Sequence, residues 1–272
     1  MRPFATASFE KYEGLGNDFI LVTAERADEV SPAWARAACD RRRGVGADGV
    51  LVLLPPVAAP ASARMRVINA DGSIAEMCGN GLRCAALHLA LRRGVSHGEI
   101  DIETDAGVRR CGVERNGDEA VIVADMGIVT VLGDVTVEAD GEAISLSRVD
   151  AGNPHAVTLR PVTSAQFERL GPLLSTAPVF ERGANIEFVR LDEGVLDVRV
   201  WERGSGATLA CGTGACAAVA AASAKGLVPA AEPIRVRLPG GELEIRYARG
   251  GRTTMRGPAR RVFAGSLSGG AA

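Results

Sequence analysis

The stretch Met77–Ala86, MCGNGLRCAA, returns in altered form at Ala210–Ala218, ACGTGACAA. In each, a cysteine is followed at once by a glycine, by a second glycine two residues later, and by an alanine-rich run. Laying Cys78 on Cys211, an offset of 133 residues, brings Gly79 onto Gly212, Gly81 onto Gly214 and Ala85 onto Ala218. Upstream, RMRVINADG lies over DVRVWERGS, with Arg66 and Val67 on Arg199 and Val200. At a slightly larger offset Gly16–Asn17 falls on Gly152–Asn153. The matches keep their order along both halves, so the chain reads as an internal duplication. The expected domains are residues 1–126 and 127–261, with the terminal 262–272, whose RRVFAGSL is strand-like, completing the first. The closing GSLSGGAA reads as frayed.

Within each half, RMRVI, EIDIET, AVIVADM, VLDVRVW, PIRVRL and LEIRYA are alternating, β-rich runs broken by Gly, Asn and Asp. The runs after each cysteine, LRCAALHLALRRG and ACAAVAAASAKG, are strong helix formers that end at glycine. A further helix is expected in SPAWARAACDRR, with Ser31 as N-cap and Pro32 in the first turn. Strands outnumber helices and do not alternate regularly with them, which places the fold in the α+β class, with two pseudo-symmetric domains.

The totals agree with a soluble two-domain chain: 272 residues, 47% apolar and 24% charged. A net charge of −2 offers no electrostatic attraction for nucleic acid or an anionic membrane. No run approaches the roughly 20 apolar residues of a membrane span. The start, MRPFATASFEKYEG, lacks the apolar core and cleavage site of a secretory signal. The expected location is therefore the cytoplasm, with the six cysteines as reduced thiols.

A cysteine just ahead of a helix sits by free backbone N–H groups and the positive end of the helix dipole, which favour a thiolate and can seat a carboxylate. Two such helix starts facing one ligand across a cleft would set a thiol on each side of it. Inverting a carbon that bears hydrogen needs that arrangement, because one group removes the proton from one face and another delivers a proton to the other. A thiol of ordinary pKa near 8.5 can be tuned to either role. The usual aid to α-proton removal is pyridoxal phosphate on a lysine. Only Lys11 and Lys225 are available and neither lies in a glycine-rich or polar cluster, so the expected chemistry is cofactor-free.

KYEGLGNDFILV, CDRRRGVGADGV, RVINADGSIAEMCGNGLRCAA, AGNPHAV, RGANIEFV and WERGSGATLACGTGACAAV, in that order, resemble the diaminopimelate epimerases. The resemblance implies a cofactor-independent enzyme interconverting LL- and meso-2,6-diaminopimelate in lysine and peptidoglycan precursor synthesis. It also implies two similar domains, each a mixed sheet wrapped on a central helix, and a homodimer. By the same resemblance Cys78 is the proton donor and Cys211 the acceptor in the LL-to-meso direction. Asn17, Asn69, Gly79, Asn80, Asn153, Asn185, Glu202, Arg203, Gly212 and Thr213 match substrate-binding positions, and His155 and Glu202 match positions that tune the thiols. Gly49 departs from the pattern, since some members carry a substrate-touching glutamine there.

The remaining features read as structural. Cys39, Cys84, Cys111 and Cys216 are expected to be small buried hydrophobes. The spacings of Cys78 to Cys84 and of Cys211 to Cys216 are wrong for a zinc site. NADG is a turn in which Asn69 alone is a site candidate. GVGAD and GLGND lack the G-K-[ST] of a phosphate loop. A proline-type racemase, a thiol redox protein and a cysteine hydrolase are the competing readings. The Glu202–Arg203 and asparagine set, the absence of C-x-x-C, and the two equivalent cysteines with one suitable histidine argue against them in turn.

Overall fold

The computed structural model describes residues 6–75 and 77–268. The chain divides into two compact units, one made of residues up to 124 together with those from 257 on, the other of residues 125–256.

The first unit contains β1 (Thr6–Gly14), β2 (Asn17–Thr23), α1 (Pro32–Cys39), β3 (Gly49–Leu54), β4 (Ala63–Asn69), β5 (Ile74–Ala75), α2 (Gly79–Arg93), β6 (His97–Thr104), β7 (Gly107–Asn116) and β8 (Glu119–Ile128). The rest of the chain adds β9 (Thr130–Ala139), β10 (Glu142–Asp150), β11 (Pro154–Thr158), α3 (Ser164–Ser175), β12 (Asn185–Asp192), β13 (Val195–Glu202), β14 (Gly206–Thr208), α4 (Gly212–Ala224), β15 (Pro233–Leu238), β16 (Gly241–Tyr247) and β17 (Arg252–Ser268). The fold is α+β, as expected.

In the first unit the strands pair in the order β17-β1-β2-β3-β4-β6-β7-β8, and β8 pairs with β17, so eight strands close into a barrel. The steps β2–β3 and β4–β6 are parallel, and β17–β1, β1–β2, β3–β4, β6–β7 and β7–β8 are antiparallel. The second unit repeats that succession as β9-β10-β11-β12-β13-β15-β16-β17, with β11–β12 and β13–β15 as its parallel steps. The register equates Phe19 and Gly49, paired across β2 and β3, with His155 and Asn185, paired across β11 and β12. Two residues further on, Leu51 corresponds to Glu187.

Each barrel is filled by its alanine-rich helix. Along α2 the residues from Gly79 to His88 are all buried, and along α4 those from Gly212 to Ser223. α4 is apolar on every side and has to be enclosed, α2 also buries Asn80, Arg83 and His88, and in both the small residues let strands approach. Each buried Leu such as Leu82 or Leu87 contributes about 1.5–3 kcal/mol. The shorter helices lie on the outside of the sheets. Ser31 caps α1, its Oγ accepting from the Trp34 amide at 3.1 Å, and Ala35 and Ala38 join a cluster with Ile20, Val50 and Val52. In the second unit α3 seats Phe167, Leu170 and Leu174 against Ile144, Leu146, Ile186 and Phe188.

Two expectations need correction. The sequence reading has no helix at 164–175, yet Thr163 and Gln166 form a full capping box there and α3 runs on through Pro172. The run expected to fray is a strand as far as Ser268, with Gly265 opposite Phe9 and Leu267 opposite Ala7, because β1 supplies its hydrogen-bond partners. The part of that run from 269 on lies outside the described residues.

Candidate active site

Cys78 and Cys211 are themselves the N-caps of α2 and α4, and the glycine turns that follow them are the first helical turns. Cys78 has φ −141° and ψ 106°, Cys211 has φ −126° and ψ 113°. The Cys78 sulfur accepts from the Gly81 amide at 3.3 Å and the Cys211 sulfur from the Gly214 amide at 3.4 Å. Serine or threonine is the usual residue in this role. A sulfur there accepts more strongly once ionised, and the dipole of a long buried helix adds to the effect. The glycines are needed for close approach. A Cβ on Gly81 would lie 3.4 Å from the Cys78 sulfur and 2.8 Å from Leu51 Cδ2, and one on Gly214 3.3 Å from the Cys211 sulfur and 2.8 Å from Glu187 Oε1.

Around Cys78 the first unit gathers amides. The buried Asn80 donates through Nδ2 to Asn17 Oδ1 at 3.1 Å, and Asn17 donates through its own Nδ2 to Asp48 Oδ2 at 2.7 Å. Asp48 is held by Arg41 at 2.7 Å, and Arg41 also bonds Asp18 at 2.6 Å. The buried Lys11 ammonium contacts Asp18 and donates to the Gly46 carbonyl. Burial pushes the Asp18 carboxyl up, but its bonds to Arg41 and Lys11 outweigh that and hold it below the ordinary value. Gly16, at φ 76°, turns the chain so that Asn17 enters β2 at this point. Asn69 closes β4. Its Nδ2 donates to Ser73 Oγ at 2.9 Å, and Asp71 Oδ1 accepts from the Ser73 amide and hydroxyl, so NADG is a turn. Gly49 stands opposite Asn69 across β3 and β4, and a Cβ there would meet the Ile68 carbonyl at 2.9 Å.

Around Cys211 the second unit gathers carboxylates. Cys211 is buried and its sulfur lies 3.4 Å from the Thr213 hydroxyl. Burial, then Glu202, then Glu187 push its thiol well above the ordinary value. Glu202 is itself raised by burial, and it accepts from Thr208 Oγ1 at 2.6 Å. Glu187 is fully buried and also raised by burial. Its Oε1 lies 2.7 Å from Nδ1 of the buried His155, whose Nε2 lies 2.9 Å from Asn153 Oδ1. Asn185 accepts through Oδ1 from the Arg203 amide at 2.8 Å, and the exposed Arg203 side chain donates to the Arg182 carbonyl at 2.9 Å.

The structure thus brings Asn17, Gly79 and Asn80 to Cys78, and Glu202, Gly212 and Thr213 to Cys211, with Asn153 reached through His155 and Glu187. Asn69 bonds within its own turn, and Asn185 with Arg203 forms a pair of its own. Sequence reasoning missed Glu187, Thr208, Arg41 and Asp48. Glu187 did leave a signal, as the lone charge in the otherwise uncharged NIEFV. The other four cysteines are buried, and burial lifts Cys39 to about 11. Among the described residues, no three His, Cys, Asp or Glu side chains gather as metal ligands would, and no helix is long and apolar enough to cross a membrane.

Comparison with known proteins accords with this geometry. Solved structures with the same fold include a hydroxyproline epimerase from Agrobacterium vitis (TM-score 0.77, 16% identity, 98% of this chain and 92% of that one). Another is a phenazine biosynthesis protein of the PhzF family from Bacillus anthracis (TM-score 0.71, 17% identity, 98% and 99%). The diaminopimelate epimerase of Desulforudis audaxviator is 42% identical over 94% of this chain and 98% of its own length. That of Synechococcus elongatus is 41% identical over 95% and 97%. The family model for diaminopimelate epimerase matches residues 9–132 and 147–262, and the chain belongs to that family.

Proposed function

We propose that this protein interconverts LL- and meso-2,6-diaminopimelate without a cofactor, with Cys211 and Cys78 as its acid–base pair. The observation that carries the reading is the pair of sulfur N-caps on two buried helices, in a chain whose relatives at about 40% identity are diaminopimelate epimerases.

In the LL-to-meso direction the Cys211 thiolate takes the α-proton, so an S–H bond forms as the C–H bond breaks. The electron pair left behind delocalises toward the α-carboxylate, where the amides of Gly79, Asn80, Gly212 and Thr213 and the two helix dipoles stabilise it. The Cys78 thiol then gives its proton to the opposite face of the carbon and ends as thiolate. Glu202 is raised by burial and its charge acts directly on the Cys211 thiol, which supports it as the base that receives the Cys211 proton before the reaction. His155 joins it in setting the proton affinity of the thiols. Asn17, Asn69, Asn153, Asn185 and Arg203 bind the amino-acid groups at the ends of the substrate. The reading includes a cytoplasmic homodimer working in lysine and peptidoglycan precursor synthesis.

The test is to incubate reduced protein with LL-diaminopimelate in D₂O, adding no cofactor, and to follow the α-hydrogens by NMR while assaying the meso isomer. Deuterium entering the α-position as meso product forms is the expected result. No exchange with the thiols shown to be free would overturn the reading.

A further inference from the structure

The duplication supplies an internal control for Glu187. The position it occupies beneath the Cys211 cap is filled in the first unit by Leu51 beneath the Cys78 cap, and the position of His155 is filled there by Phe19. The strand registers make both equivalences, and the glycine of each cap confirms the first, since a Cβ on Gly81 strikes Leu51 where one on Gly214 strikes Glu187. Leu51 and Phe19 are buried, as are Glu187 and His155. One fold therefore closes at this spot with an apolar pair in one copy and an ionisable pair in the other. Burying a carboxylate costs several kcal/mol unless its partners compensate. Here only Oε1 has a partner, while the buried Oε2 has none. The fold does not require this pair, so its reason lies in the site.

We propose that Glu187 is a positioning residue which, through His155, fixes the orientation of the Asn153 amide. The hydrogen-bond chain allows one arrangement. Asn153 presents its carbonyl oxygen to Nε2, and a carbonyl only accepts, so Nε2 carries a proton. The second proton lies between Nδ1 and Glu187 Oε1, and the pair is neutral overall whichever atom holds it. With its oxygen held by His155, Asn153 has its Nδ2 donors left to offer, which suits a substrate carboxylate rather than an ammonium group. Without Glu187 the ring is free to hold its proton on Nδ1 and accept at Nε2. Asn153 would then turn over and present its oxygen to the ligand. The equivalent Asn17 is fixed by other means, with its Nδ2 on Asp48 and its Oδ1 on Asn80.

The role in substrate binding rests on the proposed epimerase reading, whereas the tautomer of His155 does not, and the experiment separates them. The chain has three histidines, so ¹⁵N-labelled imidazoles are assignable with a His155→Phe control. Wild type should show His155 protonated at Nε2, and Glu187→Met, which keeps the length but offers Nδ1 no donor, should let the ring populate the Nδ1–H form. With LL-diaminopimelate, KM should rise and kcat/KM fall by at least about tenfold, on the scale of orienting partners of ligand-bound histidines. The double variant Glu187→Leu with His155→Phe copies the first unit and should remain folded, with its melting temperature unchanged or raised and its activity lost. Wild-type His155 shifts in Glu187→Met, or an unaltered kcat/KM with an active wild type, would overturn the proposal. An inactive wild type whose His155 still responds to Glu187→Met would overturn the epimerase reading and leave the hydrogen-bond chain standing.

Discussion

The two cysteine caps share a backbone and differ in company. Both sulfurs end a strand-to-helix turn and accept from the third amide of a buried helix, at 3.3 and 3.4 Å. Cys78 is half-buried among the amides of Asn80 and Asn17, which lead outward to Arg41 and Lys11 through Asp48 and Asp18. Cys211 is buried beside Glu202 and Glu187. The two units treat the thiol alike through the backbone and differ in the groups around it, and those around Cys211 raise its proton affinity. A pair of identical thiols would share one proton affinity and would have no built-in division into donor and acceptor. In the proposed reaction the contrast between carboxylates and amides would supply that division.

The largest effect that tests this comparison is removal of either sulfur. Cys78→Ala and Cys211→Ala should each lower LL-to-meso turnover by on the order of 10³-fold or more, the upper range for a positioned acid or base. Asymmetry enters at the next level. In Glu202→Gln the anion closest in effect on Cys211 is gone, so the thiol should titrate at lower pH than in wild type. The difference in thiolate absorbance between that variant and the same variant carrying Cys211→Ala isolates this one sulfur. Turnover should nevertheless fall by about 10²-fold, because the group proposed to take the Cys211 proton is lost. An unshifted Cys211 titration would mean that burial and Glu187 set its proton affinity without Glu202.

Much of this contrast was legible before any coordinates. The repeat, the α+β class, the caps and the candidate contacts all lie in short motifs whose meaning is local, such as a cysteine followed by Gly-x-Gly and an alanine run. Glu187 was not legible. Its significance depends on the parallel pairing of β11 with β12, which brings together residues 32 apart in sequence, and on the identity of the residue in the matching place of the other copy. Pro172 masked α3, although Thr163 and Gln166 supply its capping box and Phe167, Leu170 and Leu174 its apolar stripe. The Gly- and Ser-rich end of β17 has no strand propensity of its own and is a strand only because β1 lies beside it.

A subtler pair of variants probes the cap glycines. A methyl on Gly81 meets Leu51, an apolar side chain free to change rotamer, whereas one on Gly214 meets a carboxylate oxygen bonded to His155. Each insertion should cost about 1–3 kcal/mol of stability as overpacking. Gly214→Ala should lose more activity than Gly81→Ala for the same loss of stability, because the atom displaced belongs to the hydrogen-bond chain leading to Asn153. Equal activity losses at matched stability would mean that the two caps tolerate distortion alike.

The smallest expected effect separates the two units by the sign of a pH dependence. In the first, Asp18 is held below its ordinary value, against burial, by Arg41 and Lys11. Its contribution is present above the unfolded carboxyl value of about 3.9 and is lost as pH falls through the lower folded value. Asp18→Asn should therefore destabilise at neutral pH and converge on wild type in acid. In the second, burial raises Glu187 above its ordinary value. The folded state then binds more protons than the unfolded one between the two values, and stability falls as pH rises through that window. Glu187→Leu should consequently gain on wild type as pH rises above about 4.3, the unfolded glutamate value, and lose that advantage in acid. Urea melts of both variants across this range measure the two slopes. Slopes of one sign would mean that the buried carboxylate is stabilised by His155 as fully as Asp18 is by its cations, and that the ionisable pair carries no cost to the fold.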